Sequence, residues 1–261
     1  MNLDLTGKRA MVCGSTQGIG KASAIELAAL GAHVTLVARD QEKLQKALAD
    51  LPTKTGQRHN YVVADFNSVH EVKLRIGDFL QNHIVHILIN NTGGPPPGPA
   101  LNASPDEFLR AFSAHLICNQ IITQGVVPGM KQEKYGRIIN IISTSVKIPL
   151  RNLGVSNTIR GAVANWAKTL SVELAPDGIT VNNVLPGATM TGRLQALIRN
   201  NAEKSGKSLE EAQREMEREI PAGRIAEAAE VAAAVAFLAS PAAGYINGIN
   251  LPVDGGRTGS L

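Results

Sequence analysis

Seven short apolar runs recur along the chain, at 9–13 (RAMVC), 33–38 (HVTLVA), 60–64 (NYVVA), 86–90 (HILIN), 137–142 (RIINII), 180–185 (TVNNVL) and 248–253 (GINLPV). Between them lie amphipathic segments, near 18–30, 41–50, 68–82, 105–133, 153–174, 191–219 and 227–239. Strands apolar on both faces and separated by helices predict a parallel sheet covered on both sides, with right-handed crossovers. The expected fold class is therefore α/β, a doubly wound parallel sheet of about seven strands. No Pro/Gly-rich linker, repeat or low-complexity tract interrupts the pattern, and residues 1–261 are expected to form one domain.

One segment departs from the alternation. Residues 191–220, TGRLQALIRNNAEKSGKSLEEAQREMEREI, are highly charged and fall between a strand and the next helix. They predict helix, with SLEEA opening as a capped one. An insertion of this length beside strand ends is placed to act as a substrate lid; a solvated excursion is the other reading.

Composition narrows the function classes. The chain is 44% apolar, with a net charge of +4 and no dense Lys/Arg block, so nucleic-acid binding is not expected. Part of the positive charge is expected to serve an anionic ligand, and most of it to be solvated surface. Cys13 and Cys118 sit far apart in apolar runs, which predicts two buried free thiols and a reducing compartment. The opening MNLDLTGKRAMV has no apolar run of signal-peptide length, and no stretch approaches the ~20 residues of a membrane span. A cytoplasmic location is the expectation. The histidines are scattered, so no metal site is expected, and IISTS lacks the G-x-S-x-G turn of a hydrolase.

The strongest chemical signal is CGSTQGIGKASAIELA, which follows the first expected strand and opens the first helix. Gly14 lets the chain turn off the strand, while Gly18 and Gly20 let backbone approach a pyrophosphate and let the helix pack on the sheet. Free N–H groups at the helix start then face the anion. In the strand–helix–strand context, Gly14, Ser15, Thr16, Gln17, Gly18, Ile19 and Gly20 form a Rossmann-type nucleotide cradle. The second strand ends VTLVARD, with Ala38 where an acid would bind a ribose 2′-hydroxyl and Arg39 next to it. That predicts NADP(H) over NAD(H), with Ser15 helping; Asp40 caps the next helix or opposes the phosphate.

Taken together, these residues resemble the short-chain dehydrogenases/reductases, in a divergent branch similar to 3-oxoacyl-carrier-protein reductases. CGSTQGIG resembles the family's TGxxxGIG, with Cys13 where Thr is usual; NNTGG (90–94) resembles NNAG; and PGATMT (186–191) resembles PGxxxT. The resemblance implies an NADP(H) site that includes Asp65 and Phe66 near the adenine. It implies Asn91, Thr92 and Gly93 along the cofactor, and Pro186, Gly187, Thr189 and Thr191 beside the nicotinamide. It also implies a small-molecule carbonyl or alcohol substrate and a homotetramer, or a dimer, built on the helices at 105–133 and 153–174.

The family's catalytic set is Asn, Ser, Tyr and Lys. Alignment of GRIINIIS places its serine at Ser143, its tyrosine at Ser156, its lysine at Arg160 and its asparagine at His115. A serine hydroxyl is a far weaker acid than a phenol of pKa ~10. Arg160 keeps its proton, but its spacing of four from Ser156 leaves both on one helix face. Arg160 is expected to hold ribose and stabilise charge. His115 is expected either to complete the proton path or to be satisfied by a neighbouring carbonyl. Tyr61, Tyr135 and Tyr245 are not placed as a displaced phenol. Two functions follow: an NADP(H)-dependent oxidoreductase of a carbonyl/alcohol pair, or a non-catalytic NADP(H)-binding sensor or subunit.

Overall fold

Each apolar run becomes a strand, with bounds within two residues of those expected: β1 (Arg9–Cys13), β2 (His33–Ala38), β3 (Asn60–Val63), β4 (Ile87–Asn90), β5 (Gly136–Ile141), β6 (Ile179–Pro186) and β7 (Asn250–Val253). The structure is a computed structural model and describes residues 1–54 and 56–260. All seven strands are parallel, in the order β3-β2-β1-β4-β5-β6-β7. The order reverses between β1 and β4, so a crevice opens beyond their carboxyl ends.

The helices are α1 (Gly18–Ala29), α2 (Gln41–Ala49), α3 (Val69–Leu80), α4 (Pro105–Phe112), α5 (Cys118–Gln132), α6 (Gly154–Leu174), α7 (Gly192–Ser205), α8 (Leu209–Arg218) and α9 (Ala228–Ala239). Period-two alternation in the strands divides the core. Ala10 and Val12 of β1 pack with α1, α2 and α9 through Leu27, Leu44 and Val235. Met11 and Cys13 pack on the other face with α3, α5 and α6 through Ile76, Ile122 and Ala167. Both thiols are buried and free. Among the described residues, no helix is long and apolar enough to cross a membrane.

Two expected helices are each divided. The stretch at 105–133 is α4 and α5 joined by a π-helical turn, Ser113–Ile117, that turns His115 into the interior at 3% exposure. Such a turn adds a residue to the helical cycle, which apolar spacing alone does not reveal. The charged stretch at 191–219 is α7 and α8. Gly206 ends α7 in the left-handed region (φ 65°), and Ser208 with Glu211 forms a reciprocal cap on α8. This hairpin has its own small core of Leu194, Ile198, Ala202, Ala212, Ile220 and Ile225.

A row of amides crosses the sheet. Asn90, Asn140, Asn183 and Asn250 are in register on β4, β5, β6 and β7. Asn90 Nδ2 donates to Asn140 Oδ1 (2.9 Å), Asn140 Nδ2 to Asn183 Oδ1 (2.9 Å) and Asn183 Nδ2 to Asn250 Oδ1 (2.8 Å). Asn90, Asn140 and Asn183 are buried, so this chain of bonds replaces apolar packing just below the crevice.

Candidate active site

The crevice begins at the glycine turn. Gly14 (φ 58°) leaves β1 in the left-handed region, and a Cβ there would lie 2.5 Å from Asn91 O. A Cβ on Gly20 would lie 2.3 Å from Gly14 O, so only glycine lets α1 close onto the strand end. Asn91 clamps the turn by donating to Gly14 O (3.1 Å) and Cys13 O (3.3 Å). Helices α2, α3, α4, α7 and α8 each carry a side-chain cap; α6 starts after Leu153 without one, and α1 starts after an extended Gln17 that caps nothing. Its first N–H groups are left to a ligand, in a cradle that suits a pyrophosphate.

Ser15 corrects the sequence reading. Its hydroxyl is fully buried, accepts Val37 N–H (3.1 Å), donates to Val37 O (3.4 Å) and does not line the crevice. It ties the turn to β2 instead of meeting a phosphate. Thr16, Gln17, Gly18 and Ile19 do line the crevice.

One half of the crevice, about 520 Å³, is walled by Thr16, Arg39, Asp40, Lys43, Asp65 and Phe66. Asp40 caps α2 by accepting Lys43 N–H (3.1 Å) and pairs with Lys43 Nζ (3.0 Å). Its carboxylate is thus engaged, while Arg39 is exposed and forms no ion pair among the described residues. Asp65 accepts from Asn67 N and Nδ2, both at 3.0 Å, which fixes the loop after β3.

The other half, about 300 Å³, runs from Gly18 past Asn91, Thr92 and Gly93 to Ser143, Ser156 and Arg160, with Pro186, Gly187, Thr189 and Thr191 opposite. Ser143, just beyond β5, accepts Ser145 N–H (3.1 Å) and keeps its own proton for another partner. Ser156 and Arg160 stand one helical turn apart on α6, at 8% and 9% exposure. Arg160 Nη1 donates to Ile141 O (2.9 Å). Burial, then the charge of Arg193, lower the Arg160 pKa to about 10, so it remains a cation near neutral pH.

Arg193 is the residue that sequence reading missed. It lies in the first turn of α7 and donates from Nη1 to Gly94 O (2.6 Å) and from Nη2 to Pro95 O (2.9 Å). The available signal was a cation in the first turn of a helix, where the helix dipole disfavours it.

His115 lies behind the crevice and does not line it. Its Nδ1 shares a 2.5 Å hydrogen bond with Thr92 Oγ1, and Thr92 lines both halves. Burial, then Arg160 and Arg193, lower its pKa to about 3, so the imidazole is neutral at physiological pH. Tyr135 lies at the opposite edge of the sheet, with its hydroxyl donating to Ala239 O (2.7 Å). Tyr61 bonds Gln41 and Gln45, and Tyr245 is exposed; no tyrosine lines either half. No group of three or more His, Cys, Asp or Glu among the described residues is arranged to hold a metal.

Comparison with known proteins agrees with this geometry. Residues 14–258 match the family model described as enoyl-(acyl carrier protein) reductase. The chain is 30% identical over 259 residues to the NADPH-dependent reductase BacG of Bacillus subtilis, covering 98% of this chain and 100% of that protein. It is 34% identical over 258 residues to the 3-oxoacyl-[acyl-carrier-protein] reductase FabG of Haemophilus influenzae, covering 97% of this chain and 98% of the relative. L-sorbose reductase from Gluconobacter frateurii, solved with NADPH and L-sorbose, superposes with a TM-score of 0.94 at 29% identity over the whole of both chains. The chain belongs to the short-chain dehydrogenase/reductase family of oxidoreductases.

Proposed function

We propose that the protein is an NADP(H)-dependent oxidoreductase acting on a carbonyl/alcohol pair. The observation that carries this is the uncapped start of α1, opening on a crevice that runs from Arg39 to Ser143. The glycine turn would hold the pyrophosphate, Arg39 the 2′-phosphate and Asp65 with Phe66 the adenine end. Asn91, Thr92, Gly93, Pro186, Gly187, Thr189 and Thr191 would flank the nicotinamide end, with Arg160 beside its ribose. NADPH-dependent relatives support this choice of cofactor. When bound, the cofactor supplies or accepts a hydride.

The chain's own residues do the rest. The Ser143 hydroxyl donates to the substrate oxygen. Arg160 places a fixed positive charge where negative charge gathers on that oxygen, an effect strengthened by exclusion of water. Neither serine is an acid of useful strength at neutral pH, so the proton comes from water, passed by Ser156 or by the Thr92 hydroxyl that His115 holds. The α7–α8 hairpin serves as the substrate lid. Leu109 and Phe112 of α4 and Val172 of α6 are exposed, and they would be covered in a homotetramer or dimer.

The test mixes purified protein with NADPH and a panel of ketones, keto acids and 3-oxoacyl thioesters, following the reduced nicotinamide band. Turnover that is lost in Ser143→Ala and Arg160→Ala is expected. Tight NADPH binding without turnover of any panel member would leave a nucleotide-binding protein with no reductase function. Light scattering tests the assembly.

A further inference from the structure

The substrate end of the crevice holds two guanidinium groups and no acid. Arg160 and Arg193 both line it, and no Asp or Glu does. Neither arginine has a carboxylate within ion-pair distance among the described residues. Arg160 is nine-tenths buried, and the only hydrogen bond it makes among the described residues is the one to Ile141 O. Arg193 bonds two neutral carbonyls, which accept its protons without cancelling its charge. Its place in the first turn of α7 adds a helix dipole of the same sign. Arg193 is exposed, whereas Arg160 is a buried cation without an anion, which is strongly destabilising, and the charge of Arg193 makes that of Arg160 more costly.

In the reading proposed above, the cofactor's 2′-phosphate lies at Arg39 in the other half, and its pyrophosphate at the glycine turn where this half begins, so neither phosphate group sits beside Ser143. The nicotinamide and ribose that would lie near Ser143 carry no negative charge. The apolar walls of this end include Ile141, Ile142, Leu153, Leu194 and Leu197, which accommodate a hydrocarbon body. A guanidinium presents parallel N–H donors that match a carboxylate, so a pair of them selects that group from a substrate of modest size.

We propose that the substrate is a carbonyl compound bearing a carboxylate, held by Arg160 and Arg193 with its reacting oxygen toward Ser143. This rests on the crevice being the nucleotide and substrate site. Neutral ketones, esters and thioesters are then poor ligands, because they leave the buried Arg160 charge unpaired. Binding of the carboxylate also draws α7 toward the loop after β4, since Arg193 already joins them.

The experiment measures binding by calorimetry, on protein alone and on NADPH-saturated protein. The probes are pyruvate, levulinate and benzoate, each against its methyl ester. At least one carboxylate is expected to bind about tenfold or more tighter than its ester, with that preference weakened by salt. Arg193→Gln is expected to remove most of the preference. Arg160→Gln is expected to do the same, and Arg160→Lys to restore part of it. Equal binding of every carboxylate and its ester, or no carboxylate binding to NADPH-saturated protein, overturns the proposal. A carboxylate preference that persists in protein that takes up no NADPH would overturn the nucleotide reading and leave the anion site standing.

Discussion

Replacing His115 by asparagine tests whether the imidazole is a buried neutral group that positions Thr92 or a titrating acid. An asparagine amide reaches toward Thr92 Oγ1 from the same helix position and carries no titrating proton. In the folded chain the His115 pKa is about 3, against an ordinary 6.5, because burial and two neighbouring guanidinium charges oppose the cation. In the unfolded chain it titrates normally. The folded pKa is therefore the lower of the two. The stability tied to the neutral ring is complete above 6.5 and is lost progressively as pH falls toward about 3. Each unit below the unfolded pKa removes about 1.4 kcal/mol, so moving from about pH 8 to about pH 5 removes roughly 2 kcal/mol from wild type through this residue. His86 also has a lowered pKa, chiefly from burial, but it is present in both proteins and cancels in the comparison. Urea unfolding midpoints and slopes, measured across that range for wild type and His115→Asn, give the difference directly. The stability gap between them is expected to narrow by roughly 2 kcal/mol on acidification. Parallel curves would refute the reasoning, since they would mean that the imidazole is already solvated or paired with an anion in the folded protein.

Asn140→Ala removes the centre of the amide row and strands Asn90 Nδ2 and Asn183 Oδ1 in the core. At about 1–3 kcal/mol for each orphaned group, a loss of roughly 2–6 kcal/mol in thermal or urea unfolding is expected. Arg39→Gln is expected to weaken NADPH binding by about tenfold or more while changing NADH binding little, as measured by calorimetry with both coenzymes. Gly20→Ala puts a methyl group against Gly14 O, so the turn must open; coenzyme affinity should fall and the unfolding midpoint should drop. The double change Ser156→Tyr with Arg160→Lys supplies a phenol and an ammonium at the matched positions. It is expected to raise turnover of neutral ketones over that of the parent, read at the reduced nicotinamide band.

The fold was legible because strand burial on both faces is a property of composition within short windows, and every one of the seven windows became a strand. The glycine turn was legible because its residues are imposed by close backbone approach, which admits no side chain at Gly14 or Gly20. Arg39, Asp65, Ser143, Ser156 and Arg160 all reach the crevice, since each is tied to the carboxyl end of a strand or to the helix that follows. What sequence did not disclose depends on a rotation or on a partner distant in the chain. Ser15 turned inward because Val37 of β2 offers both a donor and an acceptor. His115 turned behind the crevice because the π-helical turn shifts the phase of the helix that carries it. Arg193 entered the site because Gly94 and Pro95 accept its protons from about a hundred residues away.

The two buried arginines at the ends of β5 supply an internal comparison that bears on function. Arg137, at the start of the strand, donates to Ser240 O (3.4 Å), Gly136 O (2.8 Å) and Gly178 O (3.4 Å) and lies 4.2 Å from the Tyr135 ring centroid. Carbonyl dipoles and an aromatic face satisfy that cation within the fold, and it needs no ligand. Arg160, beside the end of the same strand, has one carbonyl, a serine neighbour and a second cation instead. The uncapped α1 and the left-handed Gly14 and Gly18 lie at that same end. Unpaired groups thus stand at the carboxyl edge of the sheet, in Arg160 and the open start of α1, whereas Arg137 at the opposite edge is satisfied. Folding alone gives no reason for this asymmetry, because an apolar residue at 160 would pack better than an unpaired charge. A ligand that brings its own negative charge does give a reason, since an anion in the crevice stabilises both the free N–H groups of α1 and the Arg160 charge.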